Sequence, residues 1–247
     1  MIRGARTSSL AEPGFAGFAA PFGIDRENAV FQTFTVNLVQ EPKLLLWTQS
    51  ACLVTTPAIA RDPSFAMAAA RSAQRGWPVF KRLSGGTTVF HGDDTLCVSL
   101  LQPCPAGGPV TDAGYRSLTT LLVNALASLG IRATTGPVPE APCDGRFNVV
   151  ARGRKLAGTA MRVRTVHGRP VLLAHAVLLV GGGGNGLTAV RAFESDLGQP
   201  RAYRDDGCIG VAELLGRKGH EPSLRGQVAD AIRRCFIQQS GDNHDER

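Results

Sequence analysis

The sequence predicts an α+β fold, a mostly antiparallel or mixed β-sheet with helices packed on one face. Strand-forming runs that follow one another through turns too short for a crossover are the first reason. Helix-period segments that separate groups of these runs are the second. The third is composition: 247 residues, 43% hydrophobic and 19% charged, suffice to bury one core.

Residues 1–24 carry Arg3 and Arg6, are rich in small side chains and lack the apolar run of a secretory signal. They read as a flexible leader before a single domain at 25–247. "KLLLWTQSACLV" (Lys43–Val54) is a continuous run of strand formers, one buried strand or a strand and a bend. "DPSFAMAAARSAQRG" reads as a helix, with Asp62 or Ser64 as N-cap, Pro63 in the first turn and Gly76 as its stop. "WPVFK" and "TTVFH" flank a Ser-Gly-Gly turn and should pair as antiparallel neighbours, with "TLCVSLLQP" as the next strand.

Further on, Asp112–Gly130 places Leu118, Leu121, Leu122, Ala125, Leu126 and Leu129 at helical spacing and ends in glycine. From Arg146 to Val180 the chain reads strand, Arg-Gly turn, strand, His-Gly turn, strand. "GGGGNG" (Gly181–Gly186) is too glycine-rich for a regular element and reads as a surface loop. The last helix, from Pro222 to Gln239, lines up Leu224, Val228, Ile232 and Phe236 on one face.

Lys and Arg number 27 against 20 acids, a formal charge of +7, which favours anionic partners such as nucleotides or acidic proteins. Scattered arginines and 6% aromatics argue against a nucleic-acid surface. The six cysteines form no CxxC pair, so zinc-ribbon and disulfide-scaffold classes drop out and a reducing cytoplasm is the default. No stretch approaches the ~18 apolar residues of a membrane span.

Two tempting sites are weak. "GGGGNG" lacks the Lys-Ser/Thr that grips phosphate and magnesium, and His91 with Asp93 and Asp94 has no partner ligands at a telling spacing. No Gly-x-Ser-x-Gly elbow marks a serine hydrolase. What remains is a pair of segments. Lys81–His91 offers cations, backbone N–H groups bared at Gly85 and Gly86, and a short strand leading to a histidine; Gly153–Arg162 offers Lys155 between two arginines, then Gly158 where a ligand could approach backbone. Either alone is more simply a hairpin with a solvated turn.

Together, in this order and separation, the two segments resemble the biotin/lipoate protein ligase superfamily, and within it the lipoate–protein ligase A family. That family's Arg-Arg-x-Ser-Gly-Gly-Gly segment, running through an aromatic to a histidine, is matched by Lys81-Arg82-Leu83-Ser84-Gly85-Gly86-Thr87-Thr88-Val89-Phe90-His91. Its Gly-Arg-Lys-(Ile/Val)-x-Gly-x-Ala segment is matched by Gly153-Arg154-Lys155-Leu156-Ala157-Gly158-Thr159-Ala160, with leucine at the fourth position. A downstream histidine is supplied by His175, followed by Ala176 rather than glycine. Thr87 replaces the third glycine, the asparagines after the family's first histidine are missing, and no accessory domain follows the Pro222–Gln239 helix.

The resemblance implies an α+β catalytic domain that activates lipoate or octanoate with ATP and Mg2+ as an acyl-adenylate. The acyl group then passes to a lysine of a lipoyl domain, from a 2-oxoacid dehydrogenase subunit or a glycine-cleavage H protein. Lys155 would be the cation at the reacting centre. Arg82 would hold an anion; Ser84, Gly85, Gly86, Thr87, Phe90, His91, Gly158, Thr159 and His175 would bind substrate, with Thr87 narrowing the groove. Acidic acceptors would give the positive charge a steering role. No resident metal is implied.

Two other readings stay open. Octanoyltransferases that resemble these ligases use no ATP and take the acyl group from acyl carrier protein as a thioester on a cysteine; Cys143 in "APCDGR", twelve residues before Lys155, would be that nucleophile. A non-catalytic protein that binds an acyl group or a lipoyl domain is the third, and a separate accessory chain is a possible partner of the first.

Overall fold

The computed structural model describes residues 16–36, 41–104, 110–217 and 222–245. Strands β1 (Ala16–Phe18), β2 (Lys43–Gln49), β6 (Thr95–Pro103), β7 (Thr134–Gly136), β8 (Asn148–Ala151), β9 (Arg154–Val166) and β10 (Arg169–Leu179) form a seven-stranded sheet in the order β1-β2-β6-β10-β9-β8-β7. All neighbours are antiparallel except β1 and β2. A second sheet of three strands has β3 (Cys52–Thr55) between β4 (Val79–Lys81) and β5 (Val89–His91). The helices are α1 (Phe22–Val36), α2 (Phe65–Gln74), α3 (Val110–Ser128), α4 (Gly184–Asp196), α5 (Val211–Leu214) and α6 (Pro222–Asp245). The α+β expectation holds, and no helix among the described residues is long and apolar enough to cross a membrane.

Period-two alternation divides the core. Leu44 and Leu46 of β2, Leu96, Val98 and Leu100 of β6, and Ala174, Ala176 and Leu178 of β10 face α3 and α6. The intervening Leu45, Trp47, Cys97, Leu101, Val171 and Leu173 face Ile24, Phe31 and Phe34 of α1, together with Cys52 and Val54 of the small sheet. Helices therefore cover both faces of the large sheet, not one, because several of its strands present apolar side chains on both sides.

The long hairpins follow from their turns. Arg152-Gly153 (φ 50° and 71°) joins β8 to β9, and His167-Gly168 (φ 48° and 76°) joins β9 to β10. Two consecutive residues with positive φ match the right-handed strand twist of a two-residue hairpin.

Three expectations change. The strands flanking Ser-Gly-Gly do not pair with each other: β4 runs parallel to β3 and β5 antiparallel to it, so β3 lies between them. Seven intervening residues are enough to cross one strand end, and β3, buried along its whole length, takes both partners. The assumed leader is ordered where it is described: residues 16–24 supply β1 and the first turn of α1, while 1–15 lie outside the described residues.

The glycine run is no loose loop. It leads from β10 into α4, with Gly183 at φ 67° as the helix entry. A Cβ on Gly186 would lie 2.2 Å from the Phe90 ring, and one on Gly181 would lie 2.0 Å from the Asp94 carboxylate. These glycines let α4 close on β5, so they are packing residues.

Gly186→Ala should therefore lower the unfolding free energy by about 1–3 kcal/mol through overpacking. Gly184→Ala, where a Cβ meets nothing within 4 Å, should be neutral or stabilising by up to ~1 kcal/mol. Urea titration followed by circular dichroism distinguishes the two.

Candidate active site

A cavity opens between the α1-covered face of the large sheet and the small sheet. Trp47, Val54, Val89, Phe90, Val177 and Leu179 give it apolar walls, and Glu27, Arg82, His91, Cys143, Lys155 and His175 supply its polar groups. Sheet register places several of these. His175 on β10 sits opposite Ser99 on β6 and Ala160 on β9; one step along, Val177 lies between Cys97 and Gly158.

Lys155 is the second residue of β9, where a parallel bridge to Cys208 and backbone bonds to Gly207 and Ile209 lock it in place. Its ammonium is buried and donates to the carbonyls of Pro142 (2.5 Å) and Cys143 (2.8 Å). A Cβ on Gly158 would fall 3.0 Å from Lys155 Cε and Nζ, so that glycine gives room to the lysine chain itself. Burial lowers the ammonium pKa, and the neighbouring Cys143 opposes that shift.

Cys143 occupies the loop between β7 and β8 at φ 51°, a left-handed conformation that ordinarily disfavours a residue with a Cβ. Asp144 secures that loop by accepting from Val138 N (2.6 Å) and Asn148 Nδ2 (2.8 Å). The Cys143 sulfur accepts the N–H of Thr87 at 3.2 Å. Burial is the largest influence on the thiol and pushes its pKa up. Lys155, the Thr87 N–H and Arg82 together outweigh it, so the thiol sits below the usual cysteine range. Cys208 also faces Lys155, and there burial outweighs the neighbouring Lys155 and Arg154 and leaves the thiol pKa raised.

Arg82 lies under the loop it opens. It donates to the carbonyls of Val54 (2.9 Å), Thr87 (2.7 Å) and Gly85 (3.0 Å from Nη2, 3.3 Å from Nε). Most of its N–H groups thus brace backbone. Gly86, at φ 103°, passes so close to Cys143 that a Cβ would stand 2.8 Å from the sulfur. Thr87 does not line the cavity. Gly85 is solvent-exposed, whereas Thr159 lines the cavity with its hydroxyl bonded to Phe147 O at 2.9 Å.

His91 is buried beside Trp47, with Nδ1 3.3 Å from Gln49 Nε2 and 3.4 Å from Cys97 Sγ. Burial first, then Arg82 and His175, push its pKa down to about 3, so it is a neutral wall residue. Among the described residues no three His, Cys, Asp or Glu groups could together hold a metal.

Glu27 is the residue the sequence reading passed over. It shares the buried face of α1 with Ile24, Phe31 and Phe34, and the one available signal was an acid at a core-facing helical position. Both its oxygens lie 3.1 Å from His175 Nδ1, and Ser99 Oγ donates to it at 2.5 Å. Burial raises its pKa most, but His175 and Ser99 reverse the balance and the carboxylate is held below its ordinary value. His175 Nε2 in turn stands 2.7 Å from Ser84 Oγ.

Iodoacetamide should alkylate Cys143 at neutral pH faster than a cysteine of ordinary pKa, since the thiolate is the reacting form. Lys155→Met should move the alkylation profile of Cys143 to higher pH. Peptide mass mapping against pH reads this, and an unmoved profile would remove Lys155 as the thiolate's partner.

Comparison with known proteins supplies the family. Residues 22–218 match the lipoyl protein ligase A/B catalytic domain. An uncharacterized protein of Cupriavidus necator is 35% identical over 78% of this chain and 83% of its own length. An octanoyl-[GcvH]:protein N-octanoyltransferase of Kyrpidia tusciae is 34% identical over 56% of this chain, which spans half the length of that relative. A crystal structure of lipoate–protein ligase A bound with ATP shares the fold, with a TM-score of 0.63 at 18% identity over 92% of this chain and 85% of that one. From the start of α1 to just beyond α5, the chain belongs to the lipoyl protein ligase A/B catalytic-domain family, enzymes that act on protein lysine.

Proposed function

We propose that the protein is an ATP-independent acyltransferase. It takes an octanoyl-type group from a carrier protein as a thioester on Cys143 and passes it to a lysine of a lipoyl-type domain. The observation that carries this reading is the Cys143 sulfur itself, in the cavity, bonded to a backbone N–H and flanked by the Lys155 ammonium. The thiolate attacks the carrier's acyl carbonyl, the carrier thiol leaves, and the new thioester keeps its chain in the apolar cavity. The acceptor amine then forms the amide and releases the Cys143 sulfur.

Adenylation, favoured by the motif wording, finds less support in the donor set. A nucleotide phosphate needs uncommitted N–H groups, whereas Arg82 gives most of its own to three carbonyls and Lys155 gives two to Pro142 and Cys143. The carboxylate in the cavity wall, Glu27, is engaged by His175 and Ser99, so these residues do not fit a magnesium–nucleotide complex. The name of the Kyrpidia tusciae relative points the same way: octanoyl transfer, with a glycine-cleavage H protein as one carrier.

The test is to weigh an apo lipoyl domain after incubation with the enzyme and one of three donors: octanoyl-acyl carrier protein, octanoyl-H protein, or lipoate with ATP and magnesium. Octanoylation of the domain from a carrier, lost when Cys143→Ala replaces the enzyme, is the expected result. Modification only with ATP, unaffected by Cys143→Ala, would return the reading to a ligase. Lys155→Met should slow Cys143 acylation by roughly 10²-fold or more.

A further inference from the structure

The thioester step leaves one cluster unused, which reaches the cavity wall through Glu27 and His175 and has the buried Ser84 hydroxyl directly behind the His175 ring. Glu27 is a charged carboxylate, 4% exposed, in the apolar layer under α1. Its oxygens meet His175 Nδ1 at 3.1 Å, and Ser99, itself held by Trp47 Nε1 at 3.0 Å, fixes its orientation. With Nδ1–H donating to the carboxylate, the His175 lone pair lies on Nε2, which accepts the Ser84 hydroxyl at 2.7 Å. Serine, histidine and carboxylate are thus in series, the arrangement that moves a proton off a hydroxyl or whatever is bonded to it. Ser84 lies three residues before Thr87, whose N–H touches the Cys143 sulfur, on the loop that Arg82 closes.

We propose that Ser84, His175 and Glu27 form a second catalytic site, a proton relay that deprotonates the acceptor lysine as it attacks the acyl group on Cys143. The inference rests on the transferase reading above. A lysine amine is protonated at neutral pH and cannot attack until it loses a proton. The ammonium proton passes to Ser84 Oγ while the serine proton passes to His175 Nε2, and the freed lone pair forms the carbon–nitrogen bond. The nitrogen of the tetrahedral intermediate still carries one excess proton, which solvent takes as the carbon–sulfur bond breaks and its electron pair returns to Cys143; the imidazolium later releases the first proton to solvent. Glu27 is the positioning residue: it holds the ring and stabilises its charged form.

The other groups in the cavity are poorly placed for this work. Cys143 is acylated at that moment, Lys155 is tied to two carbonyls as counter-ion of the departing sulfur, and His91 has Nδ1 engaged by Gln49 and Cys97. The charged or titratable groups that line the cavity with His175 are Glu27 from α1, Arg82 from the β4–β5 loop, His91 from β5, Cys97 from β6, and Cys143, Lys155 and Cys208.

The test separates loading from transfer. The full-length enzyme is loaded on Cys143 with octanoyl-acyl carrier protein, and decay of the acyl-enzyme is followed by mass after adding apo lipoyl domain across pH. Ser84→Ala and His175→Gln should load near the normal rate but transfer about 10²-fold more slowly. The deficit should shrink as pH rises and the amine deprotonates unaided. Hydroxylamine, largely unprotonated at neutral pH, should discharge these variants normally, and Ser84→Thr should restore transfer. Loss of loading, transfer and hydroxylamine discharge together would mean a structural role, and unchanged transfer or an octanoyl ester on Ser84 would equally overturn the relay. Absence of any acyl-Cys143 in the unaltered enzyme would overturn the transferase reading and the relay with it.

Discussion

The buried Arg82 guanidinium is the constraint on which the site depends. By donating to Val54, Gly85 and Thr87 it ties the middle strand of the small sheet to the loop that follows β4. A buried cation is costly unless its hydrogen bonds are met, and here backbone carbonyls meet most of them. The consequence is a rigid loop. Its Ser84 hydroxyl reaches His175 on the large sheet, and its Thr87 N–H reaches Cys143 on the opposite wall. One side chain thereby aligns groups drawn from three separate parts of the fold.

A second network answers the first from the other wall. Cys143 is held at positive φ, a conformation that costs of order 1–3 kcal/mol for such a residue and persists when its surroundings over-determine it. Asp144 below it and Lys155 beside it provide that determination, since the lysine bonds the consecutive carbonyls of Pro142 and Cys143. The same ammonium that fixes the loop lowers the thiol pKa. Position and reactivity of the sulfur therefore share one cause.

Much of the architecture was legible because local chemistry demanded it. Arg152-Gly153 and His167-Gly168 could only be tight turns between strands, and Leu118, Leu121, Leu122, Ala125 and Leu126 could only be one helical face. The glycine run before α4 misled, since its glycines are required by close approach to Phe90 and Asp94, and that approach is invisible in local propensity. The β4–β5 pairing misled for a related reason: which strand fills the gap between two short neighbours depends on β3, about thirty residues earlier in the chain.

Residues Lys155, Arg82, Cys143, His91 and His175 were all visible as candidates, and the fold brings them to one cavity. Their division of labour was not visible. Arg82 as a brace rather than an open anion fork, His91 as a neutral wall, and Glu27 as the partner of His175 each depend on contacts spanning 3 to 148 residues of chain. The sequence by itself determined which side chains were available, the turns that fold the β8–β10 meander, and the family to which they belong. The tertiary structure alone decided which donors are already occupied and which remain for substrate, because burial and hydrogen-bond partners set the charge and reach of every group in the cavity.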